Sequence, residues 1–120
     1  MSLLDVRPFD REFYETELKP WLPERIIDCH THIWKKEHLL DNGKRSRSVS
    51  WPSLVAAENP VEDLIETGIE LFPGIEVTNV VYGKVSVNAD LPRVNEYVAA
   101  SAEKYGFPAL YVVQIGRAHV

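Results

Sequence analysis

Ile26-Ile27-Asp28-Cys29-His30-Thr31-His32 closes an apolar run that predicts a buried β-strand over residues 25 to 32. Because side chains alternate between the two faces of a strand, this run predicts one polar face and one largely apolar face. The polar face would carry Asp28, His30 and His32, and the apolar face would carry Ile27, Cys29, Thr31 and Ile33. In a closed parallel barrel, the polar face would look into the barrel mouth and the apolar face would pack beneath helices.

Two imidazoles separated by one residue on a strand form half of a metal site. Neutral imidazole is a good ligand for zinc and other first-row ions, and α/β folds bind ligands at the carboxyl ends of their strands. We therefore predict that His30 and His32 bind a divalent metal, with zinc as the expected ion. Two ligands are too few for a closed site, so others must come from elsewhere. The alternative is that both are ordinary strand-end histidines bonded to backbone or water.

The rest of the chain alternates between predicted strands and helices. After a short helix over residues 10 to 18, ending before Pro20, comes the first strand and then a long loop over residues 33 to 58. A helix, a strand over residues 77 to 82, another helix and a strand over residues 109 to 115 follow, each with its expected periodicity. This βαβαβ order predicts an α/β fold made of parallel units. We expect about three βα units from the amino-terminal part of a (β/α)8 TIM barrel.

Both long helices have sequence signals at their ends. Asn59 is predicted to cap the first of them, with Pro60 at the first helical position. Asp90 is predicted to cap the second, with Pro92 in its first turn, and Gly106 follows its last turn.

The chain has 120 residues, whereas a TIM barrel has about 250. We therefore expect residues 1–114 to be an incomplete amino-terminal portion of a barrel. Residues 115–120, Ile-Gly-Arg-Ala-His-Val, leave the pattern abruptly, and one back-translation of them matches a common sequencing adapter followed by a stop codon. We expect a non-native tail in which His119 has no function. The alternative is a genuine polar tail.

Composition excludes several classes of protein. An apolar content of 45% argues against overall disorder, and a net charge of -5 argues against nonspecific nucleic-acid or acidic-membrane binding. No segment approaches the roughly 20 apolar residues that span a bilayer, and the amino terminus does not resemble a signal peptide. We expect a cytoplasmic protein. Cys29 permits no internal disulfide and is predicted to be a small buried hydrophobe behind the site.

The predicted loop after the first strand carries candidate substrate-binding residues. Arg45 and Arg47 could hold a carboxylate of the substrate, and Trp34 could line the pocket. The alternatives are a solvated loop without a ligand and a Trp34 that packs under it. His38 lies among charged residues and is predicted to be exposed, while Tyr82 and Lys84 end the second strand on the same side as the histidines.

The motif Ile27-Asp28-Cys29-His30-Thr31-His32, near the amino terminus, resembles the amidohydrolase superfamily and its amidohydrolase-related branch. The resemblance implies a (β/α)8 barrel in which His30 and His32 bind a divalent metal at the end of the first strand. In that family the other ligands are histidines on the fifth and sixth strands and an aspartate after the eighth. That aspartate, which handles the proton of the metal-bound water, has no counterpart here, so the catalytic residues are unknown.

The function implied by this resemblance belongs to a longer parent protein. It is hydrolysis of an amide, ester or lactone, or nonoxidative decarboxylation, of a small-molecule substrate that carries a carboxylate. The parent is expected to form a homo-oligomer and to have no nucleic-acid or membrane partner. We expect the parent to be active and the 120-residue chain alone to be inactive. The second possibility is a metal-dependent phosphoesterase or nuclease of the TatD-like or PHP type, because those families also begin with His-x-His after a first strand. The third possibility is a nonfunctional gene fragment without a metal site.

Overall fold

The computed structural model describes residues 4–41 and 55–115, which form a mixed α/β structure. Helix α1, Pro8–Phe13, continues as a π-helical turn, Tyr14–Leu18, and a 3-10 turn, Lys19–Trp21. Strand β1 is Arg25–Ile33, and a 3-10 turn at Lys36–His38 follows it. Then come α2, Val61–Leu71, strand β2, Glu76–Gly83, and α3, Leu91–Tyr105. Within these residues no helix is long and apolar enough to cross a membrane.

Strands β1 and β2 pair in parallel, with a bulge in β1. The register joins Arg25 to Glu76 and Asp28 to Asn79, and it resumes with Thr31 opposite Val81. Two residues of β1, at positions 29 and 30, therefore stand against a single residue of β2. A β-bulge of this kind interrupts the alternation of side chains along the strand.

The bulge overturns part of the predicted division of β1 into two faces. Thr31 and Ile33 are buried as predicted, but Ile27 is 71% exposed and Cys29 is also exposed. By register, Asp28 lies opposite the buried Asn79 and not on the face of His32. Its carboxylate accepts a hydrogen bond from the backbone N–H of His30 at 3.1 Å, across the bulge. The strict alternation predicted for residues 27 to 33 is therefore wrong on the amino-terminal side of the bulge.

One face of the sheet packs on helices, and we call it the helix-covered face; its residues are Thr31, Ile33, Asn79, Val81 and Gly83. The opposite side, the open face, carries Ile27, His30, His32 and Tyr82. The buried apolar cluster joins the helix-covered face to both long helices through Ile33, Val61, Val81, Val94 and Val98. The core therefore lies beneath the carboxyl ends of the strands.

The two long helices begin in different ways. Asp90 caps α3 as predicted, accepting a hydrogen bond from the Arg93 backbone N–H at 3.4 Å, and Gly106 ends the helix in the left-handed region with φ of 69°. The N-cap position of α2 is Pro60, without a side-chain cap, so the predicted capping role of Asn59 is wrong. The Asn59 side chain instead donates a hydrogen bond to the backbone carbonyl of His32 at 2.9 Å.

The predicted third strand over residues 109 to 115 is represented by a single parallel bridge, between Val81 and Ala109. The Asn95 side chain of α3 explains why the ladder stops. Its amide donates to the Val112 carbonyl at 2.8 Å and accepts from the Val112 N–H at 3.1 Å. The backbone groups of Val112 are therefore bonded to a helix side chain, and the prediction of a full strand is wrong.

The amino-terminal helical segment packs against the end of α2. The Tyr14 hydroxyl donates a hydrogen bond to the Pro73 carbonyl at 2.9 Å, and the Arg11 guanidinium donates to the Glu70 carbonyl at 2.9 Å. The α- and π-helical turns end at Leu18, before Pro20 as predicted, and a 3-10 turn that contains Pro20 follows them.

Candidate metal site

His30 and His32 come together at the carboxyl end of β1. Their Nε2 atoms are 3.3 Å apart, and their ring centroids are separated by 5.2 Å. His30 belongs to the bulge and His32 to the regular strand after it, so the bulge helps to set their relative position. The structure therefore places the two predicted ligands as neighbours with nitrogens directed at each other.

The ring of His32 has a defined orientation. Its Nδ1 lies 3.0 Å from the backbone carbonyl oxygen of Gly83, at the end of β2. A carbonyl oxygen can only accept, so Nδ1 carries a hydrogen, and in the neutral imidazole Nε2 then has its lone pair on the side of His30. Metal-binding histidines usually donate their second ring N–H to such a partner, which fixes the tautomer and raises the basicity of the ligand.

The spacing of the two nitrogens fits a shared ion. Two Zn–N bonds of about 2.0 to 2.1 Å that meet at a tetrahedral angle place their nitrogens about 3.3 to 3.4 Å apart. The observed 3.3 Å agrees with this value and is slightly longer than an ordinary hydrogen bond from one ring to the other. Among residues 4–41 and 55–115, no three side chains of His, Cys, Asp or Glu are arranged to hold a metal ion together.

Tyr82 forms an aromatic wall beside both imidazoles. Its ring meets that of His32 edge-on, with centroids 4.3 Å apart, and lies 5.6 Å from that of His30. Burial raises the pKa of the Tyr82 phenol above its usual value, and the nearby charges of Cys29 and Asp28 add to the effect. The phenol therefore keeps its proton near neutral pH and is a hydrogen-bond donor.

Trp34 is buried, with 7% of its surface exposed, at the start of the segment after β1. Its indole N–H donates to the Ala57 carbonyl at 3.0 Å, and the Lys84 ammonium lies 5.0 Å above its ring. Burial also lowers the pKa of Lys84. This environment agrees with the alternative in which Trp34 packs under the loop, and its contact with substrate stays a prediction.

The two arginine candidates, Arg45 and Arg47, lie outside the described residues, as does His119. Their predicted roles therefore stay predictions.

His38, predicted to be exposed, is buried, with 5% of its surface accessible. Its ring packs against that of Tyr97 at a centroid distance of 5.2 Å, and its carbonyl accepts from the Asp90 N–H at 2.9 Å. The prediction of an exposed His38 is wrong because it used only the charged neighbours in sequence, whereas α3 covers the ring through Tyr97. Burial, with a further contribution from Arg93, lowers the pKa of His38.

Sequence reasoning gave little weight to two residues that the structure brings into contact with the histidines. Tyr82 and Gly83 are the last residues of β2, and the register pairs them with His32 and Ile33. The available signal was the end of the predicted second strand at Tyr82, directly before Gly83, since neighbouring parallel strands that end together bring their terminal residues into contact. No protein-family model, curated protein or solved structure matches this chain.

Proposed function

We propose that this chain is the amino-terminal part of a metal-dependent hydrolase or nonoxidative decarboxylase similar to the amidohydrolase-related family. In this proposal His30 and His32 provide two ligands for a divalent ion, with zinc as the expected metal. The observation that carries the proposal is the 3.3 Å separation of their Nε2 atoms, which matches two ligands of one tetrahedral ion. The hydrogen bond from His32 to the Gly83 carbonyl supports it, because it leaves Nε2 of His32 free to bind.

The arrangement of the strands supports a (β/α)8 barrel as the parent fold. β1 and β2 are parallel neighbours, and Ala109 continues the same parallel order on β2. The long helices pack on one face of this sheet, as they do on the outside of a barrel. The histidines lie at the carboxyl ends of the strands, where barrel enzymes place their reactive groups.

The residues of this chain would have distinct tasks in such an enzyme. A bound divalent ion would supply Lewis-acid activation of water and of a substrate carbonyl or carboxylate. His30 and His32 would hold that ion, and the Gly83 carbonyl would keep His32 in the ligating tautomer. The protonated Tyr82 hydroxyl would donate a hydrogen bond to a substrate oxygen. Arg45 and Arg47 are proposed to bind the carboxylate of a small-molecule substrate.

The first test is a calorimetric titration of the 120-residue chain with zinc. We expect saturable binding by the native sequence, with a loss of about tenfold or more in affinity for His30→Ala and for His32→Ala, since each removes a ligand. His119→Ala is the matched control and should bind like the native chain, while circular dichroism checks that every variant is folded. Unchanged binding in the His30→Ala/His32→Ala double variant contradicts the metal site.

The reaction itself is tested on a longer parent protein that contains this sequence. Product analysis against lactones, amides and aromatic acids should show either ring opening and bond hydrolysis or release of carbon dioxide. The 120-residue chain alone is expected to be inactive in the same assay, because a two-ligand site lacks the groups that complete the metal shell. Hydrolysis of a phosphodiester to a phosphomonoester and an alcohol, with no reaction of the other substrates, would contradict the proposed family.

A further inference from the structure

We propose that Gly83 is a positioning residue for His32. Its carbonyl sets the tautomer and direction of the imidazole, and its missing side chain allows Val94 of α3 to hold that carbonyl in place. This inference rests on the proposed function, since His32 is one of the two proposed ligands. The end of β2 and the helix α3 behind it would then help to position a ligand that lies on β1.

The Gly83 carbonyl is the hydrogen-bond acceptor for the His32 ring. The Gly83 oxygen lies 3.0 Å from Nδ1 of His32, and Nε2 of the same ring lies 3.3 Å from Nε2 of His30. The two ring nitrogens of His32 therefore have separate partners on opposite sides. Movement of the Gly83 carbonyl would change both the proton position and the direction of the ring.

The space around Gly83 has no room for a side chain. A Cβ added to Gly83 would overlap Cγ1 of Val94, and it would lie 3.5 Å from the Cβ of Val94 and 3.9 Å from Cγ2 of Val98. Val94 and Val98 are both buried in the core. A residue larger than glycine would thus force either α3 or the end of β2 to move, because a packed core has no free volume to absorb a methyl group.

The backbone of His32 is held by a different partner from its ring. The Asn59 side chain donates to the His32 carbonyl at 2.9 Å, while the ring is held by Gly83. With the backbone fixed from the α2 side, the remaining freedom of His32 is the rotation of its ring. The ring packs edge-on against Tyr82, and the Gly83 carbonyl is the hydrogen-bond acceptor that fixes which nitrogen faces β2.

The direct test is nuclear magnetic resonance of the metal-free native chain at pH 8. Long-range nitrogen–proton correlations should show the hydrogen of His32 on Nδ1, and a coupling through the hydrogen bond should connect that nitrogen to the Gly83 carbonyl carbon. A His32 ring protonated on Nε2 overturns the proposal. If His32 has the expected tautomer but the chain binds no zinc, the metal site fails and the positioning by Gly83 stands.

A set of variants then tests the role of the missing side chain. Gly83→Ala should disturb the His32 tautomer and weaken zinc binding by about tenfold to a hundredfold, the usual effect of losing a partner of a metal-binding histidine. Val94→Ala is the control that keeps the glycine. In Gly83→Ala/Val94→Ala, the space left by Val94 accommodates the new methyl group, so the tautomer and zinc affinity should return to those of the control.

Two outcomes of this series contradict the proposal. One is a folded Gly83→Ala protein with an unchanged His32 tautomer and unchanged zinc affinity. The other, decisive if Gly83→Ala does not fold, is a double variant that folds like Val94→Ala but binds zinc more weakly or has lost the Nδ1–H tautomer.

Discussion

The two faces of the sheet are built from the same two strands but have opposite environments. On the helix-covered face Ile33 and Val81 have no exposed surface, whereas on the open face Ile27 is largely exposed and the two proposed ligands lie side by side. The bulge in β1 separates Ile27, which points away from the core, from Thr31 and Ile33, which enter it. The buried core and the proposed ligands therefore lie on different faces, and the Gly83 carbonyl links the two.

The largest effect should come from testing burial on the two faces with the same substitution. Ile33→Ala removes a fully buried side chain from the core and should lower the free energy of unfolding by about 2 to 5 kcal/mol. Ile27→Ala, on the open face, should change it by no more than about 0.5 kcal/mol. Urea unfolding followed by tryptophan fluorescence measures both. Equal losses for the two variants would mean that the faces do not differ in the way described.

A smaller loss of stability is expected from substitution of Asn95 in α3, whose side chain bonds to the backbone of Val112. Asn95→Ala leaves the Val112 N–H and carbonyl without their side-chain partner and should cost about 1 to 3 kcal/mol. Asn95→Asp is the control for hydrogen exchange alone, because it keeps an acceptor for the N–H. Its carboxylate replaces the amide donor at a buried position and faces the Val112 carbonyl, so its stability is not compared. Hydrogen exchange at the Val112 amide should accelerate in the alanine variant and change less in the control. An unchanged exchange rate in Asn95→Ala would argue against this contact.

The smallest effect should be a pH dependence of stability from His38. Burial and the charge of Arg93 lower the pKa of His38 below its usual 6.5, against the opposing charges of Glu37 and Asp90. The unfolded chain therefore takes up a proton first, so this part of the stability is fully present above pH 6.5 and decreases as the pH falls below it.

The measurement for His38 is the urea midpoint at pH 8 and at pH 5.5. The midpoint should be lower at pH 5.5 in the native chain, and the difference should shrink in His38→Phe, which keeps an aromatic ring against Tyr97 and cannot be protonated. A difference of the same size in both proteins would show that another group is responsible.

Local signals predicted α3 and β2 well. The cap at Asp90 and the glycine at position 106 defined α3, and the β-branched run before Gly83 defined β2. The bulge in β1 could not be predicted, because it depends on how β1 meets β2 and not on residues 25 to 33 alone. The same limit applies to residues 109 to 115, whose strand-like composition is overridden at Val112 by a side chain seventeen positions earlier.

The candidate site was predicted only where spacing along one strand was informative. His30 and His32 share a strand, so their proximity follows from local geometry. The contacts that hold His32 come from Gly83 and Asn59, which are far away in sequence, so spacing along β1 could not reveal them. His38 shows the same limit, since its burial is imposed by Tyr97 and the rest of α3.

The central claim is that the rings of His30 and His32 bind one ion through the nitrogens that now lie 3.3 Å apart. X-ray absorption spectroscopy of the zinc-loaded chain tests it most directly. We predict two imidazole nitrogens at about 2.0 to 2.1 Å from zinc, and loss of the imidazole signal in His30→Ala/His32→Ala. A zinc shell without imidazole, or the same spectrum from the double variant, would contradict it.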